Sequence, residues 1–204
     1  MNKQVLSALV LGTTLISAPA AFSYEAGDII VRVGAANVDP STTDNTGLGL
    51  DVKDDISVGI TGTYMLTDNI GVELLAATPF DHDVNLTGVG KVADTKHLPP
   101  TLSIQYFPMD NKSKLQPYIG VGINYTTFFS EGSSAALGNA EVELDDSFGL
   151  AAQLGVDYAV NENWLVNAAV WKMDIDTDLK IGGVDVGEVE IDPTVFMLSV
   201  GYKF

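Results

Sequence analysis

Between Ile56 and Phe80 the chain alternates twice. Ile56, Val58, Ile60, Tyr64 and Leu66 share one parity and Ser57, Gly59, Thr61 and Thr63 the other. After the polar turn Thr67-Asp68-Asn69, the apolar parity resumes at Ile70, Val72, Leu74 and Ala76, with Gly71, Glu73, Leu75 and Ala77 opposite. A period of two marks a strand with one apolar face, and two such runs about a short polar turn mark an antiparallel hairpin. Each run is about ten residues, longer than an ordinary globular strand and matched to a tilted crossing of a bilayer. If the apolar face meets lipid, the other face lines a lumen of Gly, Ser, Thr and an occasional charge.

The pattern recurs along the chain. A first strand runs from Asp28 to Asn37 with Arg32 on the lumen parity, and the hairpin supplies the second and third. A fourth strand carries Leu98, Pro100, Leu102, Ile104 and Tyr106, with Pro99 and Pro100 at its beginning, where a missing donor is tolerated. A fifth centres on Ile119 to Tyr125, a sixth on Phe148 to Tyr158, a seventh on Trp164 to Val170, and an eighth on Phe196 to Phe204. The connections Val38–Lys53, Asp81–Thr95, Ser130–Asp145 and Thr177–Gly187 are long, and those between them are short. In a meander this gathers every long loop at one end, with the short turns and both termini at the other. The fold class that follows is all-β, an eight-stranded antiparallel transmembrane barrel with long loops outside and periplasmic termini.

A soluble lipocalin-like barrel would turn the same apolar parity inward around a ligand. Its outer face would then carry many Lys and Glu, whereas the polar parity here is mostly small residues. Aromatic residues also gather near strand ends, as interfacial girdles do (Tyr64, Phe80, Tyr106, Tyr125, Phe148, Tyr158, Trp164, Tyr202, Phe204). Closure matters physically, because an open sheet edge in hydrocarbon leaves backbone groups unpaired.

The first residues belong to something else. Lys3, the apolar run Val5 to Ile16 and the small residues through Ser23 form a secretory signal, with cleavage expected after Ser23. Residues 1–23 are therefore read as a signal peptide and 24–204 as the barrel domain. The chain has 27 acidic against 10 basic residues, a net charge of −17, which repels nucleic acid. It has no cysteine, so neither disulfides nor thiolate metal sites are available.

Several residues on the lumen parity invite a role. Arg32 and Glu73 are charges that need partners when buried, and a structural ion pair between them is the simplest reading. Leu75 and Trp171 read, from the residues alone, as side chains filling an interior too narrow to stay open. His82 and His97 flank an acidic loop with Asp81, Asp83 and Asp94, but their spacing matches no metal motif, so a solvated loop is expected and no metal or cofactor. Asp174, Asp176 and Asp178 alternate without the Gly and distal Glu of a calcium loop; divalent bridging to lipopolysaccharide is one use for them. No nucleophile, base and orienter come together in the pattern, so catalysis is not expected.

The stretches NIGVELLAATPF (Asn69–Phe80), HLPPTL (His97–Leu102), PYIGVGINYTTFF (Pro117–Phe129), DSFG (Asp146–Gly149), GVDY (Gly155–Tyr158), WLVNAAVWKMDIDT (Trp164–Thr177) and FMLSVGYKF (Phe196–Phe204) together resemble the OmpW family of small outer-membrane proteins. The resemblance implies a narrow, largely apolar interior that passes small hydrophobic molecules and releases them sideways through the wall. It also implies an apolar gate at a leucine and a tryptophan, matched here by Leu75 and Trp171. Phe204, with Tyr202 two before it, resembles the signal read by the outer-membrane assembly machinery. The chain departs from the family in its loops, with Lys96 in place of a second histidine beside His97 and Asp81-His82-Asp83 in place of a more basic segment. The partners expected are outer-membrane lipid and lipopolysaccharide, small hydrophobic solutes and the assembly machinery. The competing function is a structural or receptor barrel whose acidic loops bind a phage, toxin or host surface.

Overall fold

A computed structural model of the protein describes residues 23–41, 43–44, 50–52, 54–78, 80–86, 90–129 and 142–204. Its wall consists of β1 (Ile29–Asp39), β4 (Asp55–Met65), β5 (Ile70–Ala77), β8 (Thr101–Tyr106), β9 (Leu115–Phe129), β11 (Ser147–Ala159), β12 (Trp164–Met173) and β15 (Thr194–Lys203). Each is antiparallel to its neighbours in chain order, β9 pairs with β11, and β15 pairs back onto β1 from Ile30↔Lys203 to Asp39↔Thr194. The sheet is thus a closed eight-stranded barrel, as a hydrocarbon environment demands.

The parity resolves which way the strands face. Ile56, Val121 and Leu198 on the apolar parity are 68, 69 and 70% exposed, while Thr61, Gln105 and Trp171 on the other are buried. Apolar outside and polar inside is the reverse of a soluble barrel and the arrangement of a membrane one.

Local chemistry sets the turns. Asn161 Oδ1 accepts from the backbone N–H of Asn163 at 3.0 Å and of Trp164 at 2.9 Å, an Asx turn that reverses the chain between β11 and β12. At the opposite end Gly182 and Gly183, with φ of 59° and 77°, supply the two left-handed residues of a tight hairpin turn.

Two of the long polar connections are themselves strands. Residues expected as the loop Asp81–Thr95 form the hairpin β6 (Phe80–Leu86) and β7 (Gly90–Leu98), and those of Thr177–Gly187 form β13 (Asp176–Ile181) and β14 (Val184–Glu190). β7 pairs with the far end of β9, and β3 (Leu50–Val52) pairs with β6. β10 (Val142–Leu144), β13, β14 and β2 (Thr43–Asp44) form a second sheet above the barrel. Thr177, Leu179, Val189 and Ile191 turn inward there, while Asp176, Asp178 and Glu188 stay exposed. Residues 1–22, the greater part of the expected signal peptide, lie outside the described residues.

Candidate functional site

The lumen has three levels: a polar floor, an apolar throat and, above them, the inward face of the second sheet with Thr177, Leu179, Val189 and Ile191. At the turn end lies a polar floor around Arg32, which projects inward from β1 and is 1% exposed. Its Nη2 donates to Asp157 Oδ2 at 2.5 Å and its Nε to Asp157 Oδ1 at 3.0 Å, while Nη1 reaches Thr63 Oγ1 at 2.8 Å and Glu73 Oε2 at 3.3 Å. Gln153 Nε2 donates to the other oxygen of Glu73 at 2.8 Å, and Gln105 Nε2 donates to Gln153 Oε1 at 3.1 Å. Asn167 Nδ2 and the Tyr24 hydroxyl complete the Asp157 carboxylate at 2.8 and 2.6 Å. Both carboxylates are therefore fully hydrogen-bonded around one guanidinium, which is what makes buried charge tolerable.

Aromatic rings seal this floor. The Tyr24 ring meets Phe107 edge-on with centroids 5.1 Å apart, and Phe107 meets Tyr118 at 5.0 Å. The Arg32 guanidinium stands 5.6 Å over the Tyr118 ring. Tyr118 fits because Gly155 lies across from it in register; a Cβ there would come within 2.3 Å of the phenol Cζ. The segment before β1 is strapped across the opening, with Tyr24 N donating to Asn111 O at 3.0 Å and Lys203 Nζ to Ser23 O at 2.6 Å.

The middle level is an apolar throat. Leu75, Trp171, Met173, Val195, Met197 and Ala36 are buried there on the lumen face. Leu75, Met173, Val195 and Ala36 border a cavity of about 10 Å³, room for about one water. Trp171 sits directly across from Val195 and two residues from Met173 on its own strand. Among the described residues, the buried side-chain polar atoms without a hydrogen-bond partner are Trp171 Nε1, Thr61 Oγ1 and Gln116 Oε1. Leaving such an atom unpaired costs about 1–3 kcal/mol, a penalty Phe would not incur at position 171.

Beside the throat the wall is interrupted. Among the described residues β5 and β8 pair from Ile70↔Tyr106 to Leu75↔Thr101, and the next pairing is Phe80↔His97 between β6 and β7. Between them lie, among the described residues, Ala76, Ala77 and Thr78 on one side and Leu98, Pro99 and Pro100 on the other. The prolines have no N–H to offer across the gap. Thr78 N turns away to Val58 O at 2.9 Å, and Pro100 O accepts from Tyr125 N at 3.1 Å on its other side. Ala76, Ala77 and Pro99 line the same cavity as Leu75.

The structure thus brings Arg32 and Glu73 together and places Leu75 and Trp171 on the lumen face. Asp157, the closest partner of Arg32, has the lumen parity in sequence, and its mid-strand carboxylate was the signal available. Tyr24 precedes the first strand and carried no such signal. The side chains of His82 and His97 lie outside what the structure describes. No group of three or more His, Cys, Asp or Glu able to hold a metal occurs among the described residues. At the hairpin end Lys180 Nζ lies 2.6 Å from Asp145, whose hydrogen bond holds the ammonium above its ordinary pKa.

Comparison with known proteins follows the same lines. Outer membrane protein W of Escherichia coli is 47% identical over 215 residues, covering all of both chains. The crystal structure of the outer-membrane protein OprG from Pseudomonas aeruginosa superposes with a TM-score of 0.82 at 46% identity, over 89% of this chain and 98% of that one. A more distant relative from Pseudomonas aeruginosa, 25% identical over 166 residues and covering 78% of this chain and 76% of its own, is named dibenzothiophene metabolism operon protein PahQ. With the OmpW family profile matching residues 25–204, a closed barrel of the same kind and full-length relatives of that name, this chain belongs to the OmpW family and is a barrel of the bacterial outer membrane.

Proposed function

We propose that the barrel takes small apolar solutes from the extracellular side into the throat at Leu75 and Trp171 and releases them sideways into the membrane between β5 and β8. The observation that carries this reading is the break in pairing at Pro99 and Pro100, where Pro99 borders the same cavity as Leu75. The floor argues in the same direction. An apolar solute moving toward the periplasm would have to break a satisfied network around Arg32, whereas one moving sideways meets hydrocarbon and loses nothing. A relative named for a dibenzothiophene operon is in keeping with an apolar cargo.

The chain has no cysteine, so a reversible lock on the gap has no background. Ala76 and Pro100 are next in register after Leu75↔Thr101. In cells with an intact lipopolysaccharide leaflet, the barrel is expected to raise uptake of labelled octane. Oxidising an Ala76→Cys/Pro100→Cys pair is expected to abolish that gain, and a reductant to restore it. Leu75→Asp and Trp171→Asp, at matched surface amounts, are expected to lower it as well. Unchanged uptake with the cross-link verified would rule out lateral exit. Equal uptake with and without the barrel, for several unlike solutes, would instead favour a structural or receptor barrel acting through its acidic loops.

A further inference from the structure

We propose that the throat is a binding site for apolar solutes that carry one hydrogen-bond-accepting oxygen, such as medium-chain ketones, aldehydes and esters, and that the Trp171 indole N–H is the group that recognises it. The inference rests on the transport reading and deepens it by naming the class of solute. Hydrogen-bond accounting down the lumen leads to it. In the floor, both oxygens of Glu73 and of Asp157 and all three guanidinium nitrogens of Arg32 are engaged. On the β8–β9 side of the throat, Asn124 Nδ2 donates to Thr101 Oγ1 at 3.0 Å and Thr126 Oγ1 to Asn124 Oδ1 at 2.7 Å.

In the throat Trp171 and Thr61 are left over, while the third unpartnered atom, Gln116 Oε1, lies opposite Asp157 in the floor. Trp171 is 1% exposed and its Nε1 has no acceptor; Thr61 is 2% exposed, lies across the ladder from Leu75, and its hydroxyl has no partner. An indole N–H can only donate, and a hydroxyl can donate, so both suit an acceptor on the solute. On the same lumen face Leu75, Val195 and Ala36 supply no polar group and suit a hydrocarbon body, and the Met173 sulfur, a weak acceptor, is already taken by Thr101 Oγ1 and Asn124 Nδ2 at 3.8 Å each. An apolar wall with one fixed polar group is the usual build of a site that orients a small ligand. A pure hydrocarbon would fill the walls and leave the donor unmet; a ketone of equal length would satisfy both.

The test uses the full barrel in lipid nanodiscs with ¹⁵N-labelled tryptophan. Its two indole signals, Trp164 on the lipid face and Trp171 in the lumen, are assigned with Trp164→Phe. Titration with 2-octanone is expected to shift the Trp171 Nε1–H signal downfield and saturably, octane is expected to leave it in place, and Trp164 is expected to report neither. Absence of a shift, an equal shift with both compounds, or a parallel shift of Trp164 would overturn the proposal. In uptake measurements Trp171→Phe, which keeps an aromatic ring in the throat, is expected to lower the ratio of barrel-dependent 2-octanone entry to octane entry about fivefold, or about 1 kcal/mol. Equal loss for both compounds would reduce Trp171 to a packing role and overturn the recognition. A saturable shift without barrel-dependent uptake of either compound would keep the site and remove the transport reading, so the two fail separately.

Discussion

Arg32 holds two carboxylates together, and its removal has a cost that the hydrogen bonds let us anticipate. Glu73 and Asp157 are each 1% exposed or less, and without the guanidinium they would face each other as unpaired buried anions. Arg32→Met is therefore expected to destabilise the barrel by about 3–5 kcal/mol, read as urea unfolding in lipid vesicles. Adding Glu73→Gln and Asp157→Asn should recover a large part of the loss, since the charges that needed the arginine are gone. A loss for Arg32→Met no larger than an ordinary surface substitution would disprove the pairing. At this scale the sequence is legible in one respect: parity alone puts Arg32, Glu73, Leu75, Asp157 and Trp171 on one face. It does not say which of them meet, because Arg32 reaches Asp157 from a strand 125 residues away in the chain, through the stagger of a closed sheet. The role proposed for Leu75 and Trp171 rests on family resemblance, and the unmet indole N–H is visible only with its surroundings in place.

The hairpin β13–β14 shows why polar connections were misread as loops. Its inner positions Thr177, Leu179 and Ile181 alternate with Asp176, Asp178 and Lys180, so the period of two is present. The exposed face is charged because it stands in water above the membrane, and a charged face suits a strand there as well as an apolar one does below. The crowding of acids has a consequence for pH. Partial desolvation, then the charges of Asp192, Glu190 and Asp174, hold the Asp176 carboxyl above its ordinary value. A carboxyl raised on folding penalises the folded hairpin when ionised, and the penalty is relieved as pH falls through the folded value toward the unfolded one of about 4. Lys180, raised by Asp145, has the opposite window: its contribution is complete below the lysine range and lost only as pH climbs through it. Amide exchange in β13–β14, corrected for intrinsic rates, is therefore expected to slow as pH falls from neutral toward about 4, and Asp176→Asn to abolish the change. Faster corrected exchange at the lower pH would contradict the sign.

Taken whole, the molecule stacks an acidic crown in water, an apolar throat in the membrane and a hydrogen-bonded polar floor. With 27 acidic residues against 10 basic ones, and Asp174, Asp178, Asp185 and Glu188 among the exposed residues of the crown, a solute approaching from outside meets a negative field before it meets the throat. The two levels should select by different physics. The crown acts through solvent and is screened by salt, with a Debye length falling from about 30 Å at 0.01 M to about 8 Å at 0.15 M. The throat acts by desolvation, which salt leaves untouched. A fatty carboxylate and the alcohol of equal chain length separate the two effects. Barrel-dependent uptake of decanoate, after subtracting cells without the barrel, is expected to rise severalfold over that salt range while decanol stays constant. On the proposed route decanoate should remain well below decanol even at the higher salt, because passing Leu75 requires its charge to be stripped of water. Replacing Asp174, Asp176 and Asp178 with Asn should flatten the salt dependence and leave the gap between the two solutes. Decanoate entering as fast as decanol at every salt concentration would mean that neither the crown nor the throat lies on the path.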